Sequence, residues 1–496
     1  MKNQRHAPHP MPADSSDHPD GSGGSDSPGR RAFLRRTGQL ALTGTALPFA
    51  LNLAAMGEAA AFDATDYKAL VCVFLIGGND HGNTVVLYDD LNYARYAAIR
   101  GPIALSKASL LATLLHPRTE LGDGRRMALH PSLGRMAALF HSGKAAVQLN
   151  VGPLVVPLTR AQYFSPDVTR FPRPPKLFSH NDQQSVWQSL SPEGASVGWG
   201  GRIGDLALAS NGNATFTCIS TSGNAVFLSG QTALQYQVGP TGAIPIVALK
   251  QAPYGLNGVK NALNTLLQQP RSHLMEDAYN RITARSIAAE SVVTSAIGPT
   301  SVLNTAFPAG RLGDQLKVVA RMIAARGTLG ARRQVFFVGA GGFDTHGGLL
   351  DAHTGLLDGL GQAMNAFYNA TVEMGLANQV TAFTASDFGR TLAHNGGGSD
   401  HGWGGHHFVV GGAVRGQEFY GVPPPVSVGN TAAAEDQWHV GQGRLLPSTS
   451  VDQYAATLAS WFGVADAELN GLLPNLANFG AAAGRPDYPR NMGFMA

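Results

Sequence analysis

Cysteine is almost absent, with Cys72 and Cys218 the only two in 496 residues. Two thiols make neither a disulfide framework nor a cysteine-based metal site. Cys72 sits inside the apolar run ALVCVFLI and reads as a core residue. An excess of charge of one sign is lacking too. Lys plus Arg number 36 against 33 Asp plus Glu, a net charge of +3, and so near-neutral a chain gives no case for nucleic-acid binding. Beyond the N-terminal segment, no apolar run reaches the roughly 18 residues that a membrane-spanning helix requires. What is abundant is turn chemistry, with 61 Gly and 29 Pro, which points to many short loops rather than a helical bundle. A hydrophobic content of 44% over this length is enough to bury a large core.

Residues 1–29 are rich in Pro, Ser, Gly, Asp and His, a composition expected to stay disordered. GRRAFLRRTG follows, with Arg30 and Arg31 ahead of Phe33 and Leu34, then QLALTGTALPFALNLAAM and the small-residue stretch GEAAAF. This order resembles a twin-arginine export signal over residues 30–61, read by the twin-arginine machinery and cleaved near Ala61. The apolar segment is short and broken by Thr, Gly and Pro, which argues against a retained anchor. The expected location is periplasmic or secreted, with no membrane span after cleavage.

The remaining chain, 62–496, alternates strand and helix patterns with no repeat and no internal linker, so a single domain is expected. Strand-length apolar runs occur at 69–80, 144–152, 244–250 (IPIVALK), 333–342 and 379–386. Helical spacing is read over 130–144, 274–297 and 311–325, and most clearly where Leu356, Leu360, Met364 and Phe367 recur at three- and four-residue steps. Strands alternating with helices predict an α/β fold with a mostly parallel central sheet covered on both faces.

In such sheets, ligands bind beyond the carboxyl ends of the strands. ALVCVFLIGGND delivers Asn79 and Asp80 there, RQVFFVGAGGFDTH delivers Asp344 and His346, and QVTAFTASDFGRT delivers Asp387 and Arg390. The glycine-rich GGGSDHGWGGHH then supplies Asp400, His401, His406 and His407. Carboxylate and imidazole together suit Zn, Mn or Fe, and carboxylates alone suit Mg or Ca. Each residue also has a plainer reading. An Asp after a strand commonly caps a helix, the paired His open an apolar strand, HHFVVGGAV, and Gly pairs mark turns. It is the coincidence of these groups at successive strand ends that favours a metal site. Asp344 and His346 are two apart, so an extended backbone directs both to one side and Thr345 to the other.

The ordered set GGND, SHNDQQ, GFDTHGG, FTASDFGRT and SDHGWGGHHFVVGGAV resembles the exported Domain of Unknown Function family 1501, over about residues 70–463. That family is similar to the superfamily of alkaline phosphatases, sulfatases and cofactor-independent phosphoglycerate mutases. The resemblance implies a three-layer α/β sandwich, two divalent metal ions (Zn, Mn, Mg or Ca) at the strand ends, and hydrolysis of phosphate or sulfate esters. It makes Asp80 the first metal-binding acid, Asp344 and His346 the next ligand pair, and Asp387 the acid of an Asp-His motif. Here Phe388 stands where that His would be, so Asp400 and His401 supply the imidazole or the last ligand, and the number of ions stays open. His406 is a further metal candidate.

The resemblance places a hydroxyl nucleophile at a helix start after the second strand, where LFSHNDQQSVWQSL offers Ser179 beside His180. Helix N-terminal amides favour an ionised oxygen, although Ser179 or Asn181 equally serves as a helix cap. Thr84 is a second nucleophile candidate. Arg390 would neutralise charge on the transferred group, and Asn79, Asn181, His180 or His407 would hold ester oxygens. Three classes follow: an exported esterase acting on a small-molecule or glycan ester, a catalytically silent metal or ligand binder, and an envelope assembly factor. The third follows from the resemblance, since members of that family are often encoded beside another exported protein.

Overall fold

The computed structural model describes residues 64–298 and 303–496. The expected N-terminal tail, Arg30, Arg31 and the export signal lie outside the described residues. The principal strands are β1 (Lys68–Ile76), β2 (Ala145–Gly152), β3 (Cys218–Ser220), β4 (Gln235–Gly239), β5 (Gly242–Ala243), β6 (Arg333–Gly341) and β7 (Val380–Ser386). They continue with β8 (Arg390–His394), β9 (Ser399–His401), β10 (Gly405–Gly411), β11 (Phe419–Tyr420) and β12 (Thr449–Ser450). A 10-stranded sheet runs β11-β2-β10-β7-β1-β6-β3-β4-β5, with β12 also on β2, while β8 and β9 form a separate two-stranded ribbon.

At the sheet centre, β1 pairs in parallel with β6, Lys68 opposite Arg333 through Ile76 opposite Gly341, and with β7, Ala69 opposite Val380. Flanked on both edges, β1 can also be covered on both faces, which is why its sequence KALVCVFLI is continuous rather than alternating. Odd-numbered Val71 and Val73 join a core with Phe336, Val338, Leu316 and Met364. Even-numbered Phe74 belongs to the opposite face, with its ring 5.8 Å from Phe337. Helices α4 (Arg311–Ala324) and α5 (Leu349–Glu373) supply Leu316 and Met364 to the first core. On the other face, Tyr454 of α6 (Val451–Phe462) packs on Phe383 of β7 at 5.8 Å. The fold is therefore α/β, with a large central sheet and helices on both sides.

The central sheet is mostly parallel, as expected, and mixed in that β10 runs antiparallel to both β2 and β7. One expectation needs correction. IPIVALK is not a strand, since Val247–Lys250 forms one short helical turn after an irregular Ile244–Ile246. Its apolar residues are not buried, Ile244 being 59% and Val247 60% exposed, so the run never met the two-sided burial that a central strand requires. The helices read over 130–144, 274–297 and 311–325 do form, as α1 (Gly134–His141) behind a short 3₁₀ turn, α3 (Leu274–Ala296) and α4.

Candidate metal centre

Because β1, β6 and β7 are parallel and adjacent, their carboxyl ends meet at one edge. After β6, Phe343 is pinned when its N–H donates to Ile76 O (3.1 Å), and Asp344 follows. This crossing is tight. A Cβ on Gly77, whose φ is +117°, would lie 2.4 Å from Asp344 N, so only glycine permits it. Beyond β7, Asp387 is fully buried, its Oδ1 accepting the Gly77 N–H (3.1 Å) and its Oδ2 the Gln184 amide (2.8 Å). Gln184 lies one turn after His180 on α2 (His180–Ser189), so both reach the same carboxylate.

The imidazoles are oriented by their Nδ1 partners. His180 Nδ1 lies 2.7 Å from Asp387 Oδ2, His346 Nδ1 3.1 Å from Asp400 Oδ1, and His401 Nδ1 2.7 Å from Phe178 O. Carboxylates and a carbonyl only accept, so each Nδ1 carries a proton and each ring turns its Nε2 inward. These nitrogens surround Asp344. His346 Nε2 is 3.1 Å and His401 Nε2 3.5 Å from Oδ1, and His180 Nε2 is 3.5 Å from Oδ2. His180 Nε2 is buried with no hydrogen-bond partner. One donor atom each from His180, Asp344 and His401 falls within 4.8 Å of the others.

Arg390, fully buried, fixes Asp344 by donating from Nη1 to Oδ1 (2.9 Å) and to Gly77 O (2.9 Å). Its Nε and Nη2 both donate to Ser399 O. Burial alone would raise the Asp344 carboxyl, but the Arg390 hydrogen bond and charge outweigh it and hold the group below its ordinary value. The Asp387 hydrogen bond raises His180 above its ordinary value. Burial lowers His401.

Asp344, His346, Asp387, Arg390, Asp400, His401 and His180 are thus brought together. Asp344 and His346 do face the same way and Thr345 is buried away from them, its carbonyl accepting the Ser399 N–H (3.2 Å). Asp387 and Asp400 stand behind the imidazoles, each holding an Nδ1.

Other expected residues are placed elsewhere. Asp80 caps the helical turn after β1, accepting from Asn83 N (2.8 Å), and pairs with buried Arg100 at 2.7 Å and with Ser399 Oγ. Burial opposes its ionisation, yet Arg100 keeps it well below the carboxylate range. Thr84 is buried and donates to Asp80 O (2.7 Å), and Asn79 bonds Thr84 (3.0 Å) and His353 (2.9 Å). Ser179 precedes α2 and donates to Asp182 (2.8 Å), while Asn181 is exposed. His406 Nδ1 accepts the Asn150 N–H (3.0 Å), and His407 is packed 4.8 Å from the Trp187 ring. Burial and local bonding won at these positions. Residues that sequence reasoning missed are Gln184, the Phe178 carbonyl, and Arg444, which donates to His401 O (2.8 Å). For Gln184, the four-residue step from His180 was a usable signal. Nothing local marks the other two.

The fold and site define an α/β protein with three imidazoles gathered on one carboxylate at the edge of a mixed, mostly parallel sheet. The chain belongs to the family described as "Protein of unknown function (DUF1501)", whose model matches residues 67–466. No curated protein matches it. Among solved structures, 11 chains match. One is described as "Crystal structure of Ps i-CgsB in complex with k-i-k-neocarrahexaose", at 8% identity and a TM-score of 0.31, covering 86% of this chain and 78% of that one. A likeness of that size carries no argument about fold or activity.

Proposed function

We propose that His180, His346, His401 and Asp344 bind a divalent metal ion and that the protein is an exported metal-dependent hydrolase of phosphate or sulfate esters. One observation carries the metal reading. Three imidazoles, each with its Nδ1 proton taken by an acceptor, turn bare Nε2 atoms toward one carboxylate. Two lone pairs 2.9 Å apart, as at His346 and His401, repel unless a proton or cation lies between them. Ligand atoms about 2 Å from one ion stand about 3 Å from each other. An imidazole-rich donor set suits Zn, Mn or Fe better than Mg or Ca. The partners behind the rings, Asp387, Asp400 and Phe178 O, match the arrangement that fixes tautomers in metal sites.

A divalent ion there supplies Lewis acidity to an oxygen of an anionic ester. Arg390 holds Asp344 and adds positive charge to the floor, without a donor atom turned to substrate. The Ser179 and Thr84 hydroxyls are committed to Asp182 and Asp80 O, which favours water as the nucleophile. The ester class, the alkaline phosphatase-like kinship and the twin-arginine route to the periplasm rest on the sequence resemblance. Metal-loaded protein should hydrolyse aryl phosphate or aryl sulfate, and loss of all turnover across mono- and diester substrates would defeat the enzyme reading. The commitment of both hydroxyls also favours a second reading, a silent metal or ligand binder working with a co-encoded exported protein. Co-purification from the envelope without turnover would select it.

A further inference from the structure

Asp452 is a buried acid with no cation beside it. It sits in the first turn of α6 and is 1% exposed. Its Oδ1 accepts the Asn475 N–H (3.1 Å), and its Oδ2 accepts from Ser450 Oγ (3.1 Å) and Asn475 Nδ2 (3.3 Å). All three donors are neutral, and an ionised carboxylate offers about four acceptor positions, so one is left over. Burial outweighs these bonds and raises the carboxyl to about 6. Among the described residues no Lys, Arg or His pairs with it. Buried charges are ordinarily paired, as Asp80 is here with Arg100.

Asp452 and Asn475 form the polar side of a cavity of ≈ 170 Å³, whose remaining wall is largely apolar: Leu154, Val186, Leu190, Pro153, Pro174 and Pro192 among others. Most of that wall is buried, but Pro175 and Pro192 are exposed and give the cavity an opening to solvent. An apolar cavity of about 150 Å³ accepts benzene, so this one has room for a ring and one polar atom. Proline rings pack well against aromatic faces. Water is a poorer occupant, since each buried molecule needs about two to four polar partners and most of the wall supplies none. We infer that this cavity binds a small primary ammonium ion carried on a compact aromatic body, its N–H donors on the Asp452 carboxylate and its ring against the prolines. None of the lining residues is a proposed metal ligand, so the site stands apart from the proposed activity.

The probes are benzylamine and its neutral analogue benzyl alcohol, titrated into the full chain at about pH 7.5, where the amine is charged and Asp452, at about 6, is ionised. Methyl signals of Leu154, Val186 and Leu190, read by NMR, report occupancy of the cavity. Benzylamine should shift them and raise the melting temperature, while benzyl alcohol binds about tenfold or more weakly for want of the charge. Asp452→Asn should weaken benzylamine by a similar factor and leave benzyl alcohol nearly unchanged. Because that buried change risks the fold, Val155→Phe, on the half-buried wall, serves as a second variant that fills the cavity and abolishes the shifts. Equal binding of the two probes would overturn the ammonium assignment. Failure of benzylamine in the native chain, full benzylamine affinity in folded Asp452→Asn, or shifts that persist in Val155→Phe would overturn the site itself. Metal content and ester turnover play no part in these readouts.

Discussion

His346 and His401 face each other Nε2 to Nε2 at 2.9 Å, although each has already given its Nδ1 proton to an acceptor, Asp400 and the Phe178 carbonyl. Without a proton or cation between them, that contact sets two lone pairs against each other.

Replacing one of the pair should therefore cost metal and not fold. The His346 side chain is 45% exposed, so His346→Ala should change stability by no more than about 0.5 kcal/mol while zinc content falls to near background. Elemental analysis and thermal melting on one preparation decide this. A lowered melting temperature with metal retained would show His346 to be a packing residue.

Asp387→Asn tests the group behind His180. Loss of such an orienting carboxylate lowers metal affinity about 10–100-fold. Buried Asp387 also serves Gly77 N–H and the Gln184 amide, so about 1–3 kcal/mol of stability should go with it. Competition titration with a chelator and urea unfolding measure the two effects separately.

The pH dependence has a definite sign. His180 is raised by its bond to Asp387, so in metal-free protein its contribution to stability is complete below about pH 6.5 and fades as pH climbs through the higher folded-state value. A metal needs the unprotonated ring, so affinity should rise with pH across that window. Zinc titrations between about pH 5 and 8 should show this slope, and it should shrink in Asp387→Asn. A flat profile in the native chain would remove His180 from the ligand set.

Asp452 gives an opposite effect to the usual carboxylate. Burial raises it to about 6, so its protonated form stabilises the fold fully below about pH 3.9, and that contribution is lost as pH rises through about 6. Asp452→Asn should flatten that part of the stability profile, read by urea midpoints across the range.

The proposed export rests on Arg30 and Arg31. Changing both to Lys should leave uncleaved protein in the cytoplasm, seen by fractionation and mass. Normal delivery of that variant would rule out the twin-arginine route.

The parts of the site that could be read from the sequence were those whose chemistry is set by strand ends. Asp344, His346 and Asp387 follow buried runs, and parallel pairing with β1 brings them to one edge. Asp80 follows the same rule, yet it is held by Arg100, twenty residues later on an unrelated helix, a pairing no local pattern announces. His406 and His401 come from one glycine-rich stretch, but the turn into β10 sends His406 into the core and leaves His401 at the edge. IPIVALK failed for a related reason: composition describes what a segment could bury, and only the tertiary fold decides whether anything covers it.

The proposed ligands come from the start of α2, the end of β6 and the β9 ribbon, and the central pairing joins residue 68 to residue 333. Contacts so distant in sequence form late and slowly. A chain still emerging from the ribosome has no place to keep an ion. Loading of the proposed metal would then wait for the finished fold, and whichever compartment completes folding would also choose the ion. A chain that crossed the membrane already folded would carry the cytoplasm's metal with it.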